Sequence, residues 1–166
     1  MSTPVEIVAL VVSSVHAFEG RPADGPRADP VPIARSEVEI RAGFGIVGDR
    51  YFGQTVHRNA AVTLLDADSV DGDPTVLRRN IVVRGYPIDT LAARPGAGAV
   101  GRRFSLDSGG GAVEFQAYRP ANPCAWMDVV VGPGAMKALR GRGGVRATPL
   151  TSGVLRVGAA VFELLD

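Results

Sequence analysis

The sequence is poor in several residue types that define common functional sites. Its 166 residues include one cysteine, Cys124, and two histidines, His16 and His57. A single cysteine can neither form an internal disulfide nor hold an iron–sulfur cluster. Together with the two histidines it also falls short of a structural zinc site. These shortages exclude disulfide scaffolds, iron–sulfur proteins and zinc modules.

Long hydrophobic runs are absent too. The apolar run near the N-terminus covers only residues 5–12, and no basic segment precedes it. A membrane-spanning helix needs about 20 such residues. We therefore expect a cytoplasmic protein with no export signal and no membrane association. The length and the 46% apolar content predict a single domain over residues 1–166.

Lysine is nearly absent, since Lys137 is the only one among 18 basic residues. A GC-rich genome would favour arginine over lysine, and arginine forks also suit phosphate and carboxylate groups, so both explanations stand. No acidic residue occurs between residues 129 and 162, where several arginines lie. The net charge of +1 argues against nucleic-acid binding.

Glycine and proline are abundant and separate many short apolar runs. Such runs predict β-strands at residues 5–12, 36–42, 60–66, 80–85, 100–106 and 112–118, and a closing hairpin over residues 153–165 that turns near Gly158. Helix is predicted only at residues 133–140, with a short turn near residues 66–70. Residues 13–36 contain four prolines and predict a long loop, either functional or disordered. The pattern favours a mainly-β barrel or sandwich with few short helices.

Several polar stretches are candidate sites, and each has a plainer interpretation. Asp49 and Arg50 follow a run of glycines. Either both lie at the rim of a pocket, or the stretch is a wide turn in which Asp49 caps nearby amides. His57 is either a base beside a thiol or a surface residue where a strand begins, and the same two interpretations apply to His16 in the long loop. Arg79 and Asn80 either bind a polar ligand or form a solvated strand end. Residues 139–147 alternate arginine with glycine, as anion-binding turns and flexible cationic turns both do.

Cys124 lies on a bend that Pro120 and Pro123 stiffen. Nearby cations, Arg119 first among them, would favour a thiolate that acts as a nucleophile or soft-metal ligand. The alternative is a buried, inert thiol packed on Trp126. Asp128 would oppose thiolate formation if it pointed the same way.

Taken in order, these motifs resemble the MOSC domain, named after the C-terminal domain of molybdenum cofactor sulfurases. The resemblance runs from about residue 5 to residue 164, and its pieces are GIVGDR at 45–50, RRNIVVRG at 78–85, IDTL at 88–91, NPC at 122–124 and LRGRGGVRATPLTSGVLRVG at 139–158. It implies a strongly bent, mixed β-barrel. It also implies a role in binding molybdenum cofactor or in handling sulfur for metal centres.

The resemblance also suggests site residues. Cys124 matches the family cysteine that serves as molybdenum ligand or sulfur carrier, so it is the metal-ligand and catalytic candidate. Asp49, with Gly48, matches a glycine–aspartate motif and is the second catalytic candidate. Further cofactor-binding candidates are His57, Arg58, Arg79, Asn80, Arg119, Arg142 and Arg146, with Arg140 as another cation.

Some relatives reduce N-hydroxylated compounds at molybdenum, and the chain departs from the larger ones. It has no room for their additional N-terminal β domain, no pyridoxal-phosphate desulfurase domain and no electron-transfer centre. Lys137, on a predicted surface helix, is a poor Schiff-base candidate. An enzyme of this type would need electrons from a separate flavin or iron–sulfur protein. A sulfur carrier would instead need a pyridoxal-phosphate cysteine desulfurase.

Overall fold

A computed structural model describes residues 1–96 and 99–166. Its strands are β1 (Ser2–Val11), β2 (Ala34–Arg35), β3 (Glu37–Arg41), β4 (Gly45–Ile46), β5 (Val62–Asp66), β6 (Ile81–Arg84), β7 (Arg103–Asp107), β8 (Val113–Pro120), β9 (Val145–Pro149), β10 (Gly153–Arg156) and β11 (Gly158–Leu164). Its α-helices are α1 (Trp126–Val130) and α2 (Ala135–Ala138). Short 3₁₀ turns occupy several of the connections.

Seven strands form a closed, mixed β-barrel in the order β11-β7-β8-β9-β5-β6-β1. Pairing between β1 and β11, from Ser2 opposite Glu163 to Ile7 opposite Gly158, closes the ring. The barrel is mixed because β5 and β6 run parallel, whereas the other neighbours are antiparallel. The mainly-β barrel predicted from the sequence is therefore confirmed.

Alternation along the strands fills the barrel interior. In β8, Val113, Phe115 and Ala117 are fully buried, while the residues between them are partly exposed. Phe104 stacks on both Phe115 and Phe162, with ring centroids 5.2 and 5.5 Å apart. Successive strand side chains point to opposite faces, so one face of each strand builds this core.

A second apolar cluster covers the outside of β5 and β6. Leu65 and Val82 point outward from these strands and meet Trp126, Met127 and residues of α2. The helix predicted at residues 133–140 is present as the shorter α2, and α1 was not predicted. No helix in the part of the chain that the structure describes has the length and apolar character to cross a membrane.

The predicted closing hairpin is wrong, although both of its strands exist. β10 pairs with β3 in a separate three-stranded sheet, whereas β11 pairs with β7 and β1 in the barrel. Only Val157 separates the two strands, which is too short for a hairpin turn. The Val157 amide donates to the Ser36 carbonyl at 2.9 Å, and Gly158, with φ of 122°, then redirects the chain.

The proline-rich segment after β1 (residues 12–35, called the covering segment below) is held in place by specific contacts. It contains a 3₁₀ turn at Pro22–Asp24 and ends in β2, which pairs with Leu10 and Val11. Asp29 at its centre forms a two-point salt bridge with Arg78. The long loop predicted there is thus a fixed cover beside the site described next.

Candidate functional site

A cavity of about 190 Å³ opens beside Cys124. The segments that meet there are far apart in sequence, namely the proline-rich segment, the turn after β4, the start of β6, β9 and the bend before α1. Its lining residues are His16, Phe18, Arg50, Tyr51, Thr63, Leu77, Arg78, Arg79, Asn122, Cys124, Trp126, Met127 and Arg146.

Cys124 is exposed to solvent at this cavity. Its carbonyl accepts a 2.9 Å hydrogen bond from the Met127 amide, which fixes the bend directly before α1. Trp126 and Met127 are buried in the outer apolar cluster, so the helix is anchored while the thiol stays outside. The alternative of a buried thiol packed on Trp126 is wrong.

Arg79 links the bend of Cys124 to the glycine-rich turn before β9. Its Nε donates to the Gly143 carbonyl at 2.8 Å, and its Nη2 donates to the Ala121 carbonyl at 3.2 Å. Burial, followed by the positive charge of Arg146, lowers the pKa of Arg79 to about 10, while the Cys124 sulfur acts in the opposite direction. The guanidinium therefore stays charged at neutral pH and faces the thiol's cavity.

Two more guanidinium groups reach the same cavity. Arg146, on β9, stands opposite Thr63 of β5, and burial followed by the charge of Arg119 lowers its pKa. Arg50 lies over the Tyr51 ring at 4.6 Å, and its Nε is buried without a hydrogen-bond partner. Within residues 1–96 and 99–166, no carboxylate lies within 4.0 Å of Arg79 or Arg146, and Asp49 approaches Arg50 only at 3.9 Å. The cavity therefore carries uncompensated positive charge.

Asp49 and Asn80 do not line the cavity; they form a buried network behind it. The Asp49 carboxylate accepts from the Ser13 amide at 3.3 Å, the Tyr51 amide at 3.2 Å and the Asn80 Nδ2 at 3.2 Å. Burial raises the pKa of Asp49, whereas Arg50 and these donors oppose the rise. Gly48, with φ of 89°, turns the chain into this network. The network holds Arg50 and Tyr51 in place.

His16, for which the sequence left a base beside a thiol and a surface residue open, lines the cavity. Its Nδ1 is buried and has no hydrogen-bond partner. Burial, followed by the charge of Arg50, lowers the pKa of His16 and so favours the uncharged ring. Its ring meets Tyr51 edge-on, with centroids 6.5 Å apart.

Arg78 lines this cavity and is bound to Asp29 of the covering segment. Its two terminal nitrogens donate to the two Asp29 oxygens at 2.7 Å each, and its Nε is buried without a partner. Arg78 is also the one residue other than glycine with positive φ, 60°, among those described. Backbone strain of this kind often marks functional sites.

The remaining predicted residues lie elsewhere. His57 and Arg119 line a neighbouring cavity of about 350 Å³, which the contact between the His57 and Tyr51 rings separates from the first. Arg58 is exposed beyond it, and its carbonyl accepts from the Thr148 hydroxyl. Arg142 donates to the Asp68 carbonyl at 2.8 Å, on the outer side of the barrel.

Sequence reasoning thus found Cys124, Arg79 and Arg146 but missed several of their neighbours. For Arg50 the sequence left a pocket rim and a plain turn open, and for His16 a base beside a thiol and a surface residue. Arg78 belongs to the RRN triplet, whose last two residues alone were singled out. The structure brings no group of three or more His, Cys, Asp or Glu side chains together for a metal among the residues it describes. A single thiol among arginines is suited to an anionic group whose metal is already held by donor atoms of that group.

Comparison with known proteins adds support for the fold. No family model and no curated protein sequence matches the chain. Among solved structures, the YuaD protein from Bacillus subtilis matches with a TM-score of 0.69 at 12% identity, over 98% of this chain and 96% of that one. YiiM from Geobacillus stearothermophilus matches with a TM-score of 0.61 at 15% identity, over 98% and 75% of the two chains. A hypothetical protein matches with a TM-score of 0.61 at 14% identity, over 100% and 69%.

YuaD and YiiM are MOSC-type proteins. At these identities the likeness shows a shared fold and nothing finer. The chain therefore has the fold of MOSC-type proteins, with Cys124 exposed at an arginine-lined cavity.

Proposed function

We propose that this chain binds molybdenum cofactor, with Cys124 as the protein ligand to the metal. The observation that carries the proposal is one exposed thiol at a cavity lined by four arginines. Two of these, Arg79 and Arg146, have no carboxylate within 4.0 Å among the described residues. Molybdenum cofactor is a pterin dithiolene that carries a phosphate. It needs both a soft sulfur ligand and cationic forks.

The residues present fit this group. His16 Nδ1 and Arg50 Nε are buried polar atoms without partners, and such atoms in a native protein call for an explanation. Their residues and Cys124 line the same cavity, so a polar ligand there would give these atoms partners. The cavity of about 190 Å³ is small beside a typical ligand pocket, so it would take only the metal-bearing end. His57 and Arg119, in the adjoining cavity, supply the next groups for an anionic remainder.

As an enzyme, the protein would reduce N-hydroxylated compounds. The bound cofactor would supply two-electron redox chemistry, and such a reduction consumes two electrons and two protons and releases water. A separate flavin or iron–sulfur protein would deliver the electrons. Arg50, Arg79 and Arg146 would orient anionic groups, and Asp49 would act as a positioning residue because it holds Arg50 from behind.

Metal analysis tests the proposal. The protein and its Cys124→Ala variant are produced in a host that makes the cofactor, and molybdenum is measured per polypeptide. We expect near-stoichiometric metal in the first and little in the second. If molybdenum is absent from both proteins, cofactor binding is refuted under those conditions.

Sulfur transfer is a second candidate function, favoured by the solvent exposure of Cys124. Here the thiolate of Cys124 attacks the outer sulfur of a persulfide on a pyridoxal-phosphate cysteine desulfurase. Cys124 becomes a persulfide, and the desulfurase regains its thiol. Incubation with such an enzyme and cysteine would then add the mass of one sulfur to the wild type and none to Cys124→Ala. An unchanged mass would refute this candidate.

A further inference from the structure

A groove of about 400 Å³ lies next to the Cys124 cavity, beneath the covering segment. It has no assigned role in the function proposed above. Its lining comes from the covering segment, from the turn before Arg78 and from α1. The lining residues are Phe18, Pro26, Arg27, Asp29, Ile33, Thr75, Val76, Arg78, Val129 and Val130.

The charged residues of this groove already have counter-ions. Arg78 binds both oxygens of Asp29 at 2.7 Å, and Arg27 binds Glu19 at 2.6 Å. The hydroxyl of Thr75 donates to Asp73 at 2.6 Å. Because the charges of Arg78 and Arg27 are paired inside the protein, the groove presents mainly apolar surface to a ligand.

The groove and the Cys124 cavity lie next to each other. Phe18 and Arg78 line both spaces. Phe18 is held firmly, because its ring stacks on Trp126 with centroids 5.4 Å apart and an interplanar angle of 21°. The Arg78 guanidinium lies 5.9 Å from the centre of the same ring. An apolar ligand in the groove would therefore pack against a fixed aromatic face at the edge of the thiol's cavity.

We propose that this groove binds the uncharged, apolar part of the substrate, a ring or short alkyl group, while its polar reactive end enters the Cys124 cavity. This inference rests on the proposed function, because it assigns a substrate subsite to the same centre. The charges in the groove are paired, so the groove suits the apolar part, whereas Arg79 and Arg146 in the cavity are unpaired and suit the polar end. An apolar group gains by leaving water for the groove, and a polar group gains partners in the cavity.

Alkylation of the single cysteine tests the groove without any cofactor. The protein is produced without molybdenum cofactor, and rate constants for Cys124 are measured with iodoacetamide and with its N-benzyl derivative. The two reagents carry the same reactive group, and a free thiol such as N-acetylcysteine gives their reference ratio. We expect the benzyl reagent to be favoured at Cys124 by about tenfold over that reference, as about 1.4 kcal/mol of ring binding would give, with saturation at high concentration.

Two matched variants localise the effect. Val129 and Val161 are 46% and 45% exposed, but only Val129 lines the groove. Val129→Asp should bring the ratio close to the free-thiol value, whereas Val161→Asp should leave it high. If Val129→Asp fails to fold, Val76→Ser serves as the groove variant. Two results would overturn the proposal. One is a ratio of rate constants in the wild type equal to that of the free thiol, and the other is an equal fall in this ratio in the groove and control variants.

This outcome is separate from the metal analysis. Stoichiometric molybdenum with no benzyl preference would refute the groove alone. Benzyl preference without molybdenum would leave the groove standing as an apolar site beside a reactive thiol and refute cofactor binding.

Discussion

At the scale of single residues, the site depends on charges that are paired on one side and unpaired on the other. Arg78 and Asp29 neutralise each other where the covering segment meets the barrel. Arg79, the next residue, donates its hydrogen bonds to carbonyl groups, so its positive charge has no paired carboxylate at the cavity. The two adjacent arginines therefore have different roles. Arg78 holds the covering segment, and Arg79 lines the ligand site.

The Asp29–Arg78 bridge should make stability depend on pH. Hydrogen bonds from Arg78 lower the pKa of Asp29 from 3.8 to about 2, against burial. A lowered folded-state pKa stabilises the protein fully above the ordinary value, and that stability is lost as the pH falls through 2. We expect Asp29→Asn to lower the free energy of unfolding by about 2 kcal/mol at pH 7. The difference should shrink between pH 4 and pH 2.

Urea unfolding at several pH values measures this difference. Asp24→Asn is the control, because Asp24 pairs with Arg21 on the exposed surface of the same segment. Such a pair contributes less than about 1 kcal/mol. A loss in Asp29→Asn that is the same at pH 7 and pH 2 would contradict the assigned role of the bridge.

How far the sequence predicts the site depends on where each residue's partners lie. Cys124 stands out because it is the only thiol on a bend with two prolines, and Arg79 because it precedes a clear strand. His16 and Arg50 could not be assigned to one site from the sequence, since they meet only after the covering segment packs on the turn following β4. Asn80 was predicted as a ligand-binding residue, but its amide bonds to Thr63, Val11 and Asp49 behind the cavity. No local pattern distinguishes these cases.

At the scale of elements, the glycine-rich turn before β9 determines where Arg146 lies. Gly144 has φ of 95°, and a β-carbon there would stand 2.1 Å from the Leu64 carbonyl oxygen. Its amide donates to Asp89 at 2.8 Å, and its carbonyl accepts from the Ala121 amide. This turn therefore packs directly on β5 and on the bend that carries Cys124.

Gly144→Ala should destabilise the protein strongly, because strained backbone and a clash with backbone atoms act together. We expect a loss of about 3 kcal/mol or more in the free energy of unfolding. Gly141→Ala is the matched control, since Gly141 also has positive φ, 73°, but open space around its β-carbon position. That change should cost only about 1 kcal/mol. Equal losses in the two variants, measured by urea unfolding, would show that the close approach at Gly144 is unimportant.

The same turn explains why β9 was missed. The glycines before β9 and the proline at its end are typical of loops, so the sequence predicts a turn over residues 139–147, either anion-binding or flexible and cationic, where the structure has a strand from Val145 to Pro149. The strands with clean alternation, β3 and β8, were predicted close to their observed bounds. The prediction of a closing hairpin was wrong for a different reason. β10 and β11 are adjacent in sequence, but each pairs with strands that are far away in sequence.

At the scale of the whole molecule, closure of the barrel holds the site's segments together. β11 is the closing strand, since it pairs with β7 on one side and β1 on the other. Phe162 from this strand is fully buried against Phe104 and Tyr86 in the core. The segments that line the cavity are therefore held by a barrel that β11 closes.

Removal of residues 158–166 should abolish cooperative folding, because both edges that β11 covers would be left open. Removal of residues 165–166 alone is the control. It deletes the exposed Asp166–Arg102 pair, for which we expect less than about 1 kcal/mol. Thermal unfolding followed by circular dichroism distinguishes the two. A sharp transition in the longer truncation would contradict the role of β11 in closing the barrel.

Molybdenum content in a matched set of variants tests the central claim most directly. Cys124 and Arg79 line the cavity, whereas Arg142 lies outside it and donates a hydrogen bond to the Asp68 carbonyl. The account predicts near-stoichiometric metal in the wild type and in Arg142→Gln, a large loss in Arg79→Gln and almost none bound to Cys124→Ala. Metal retained in Cys124→Ala, or lost equally in the two arginine variants, would contradict binding at this cavity.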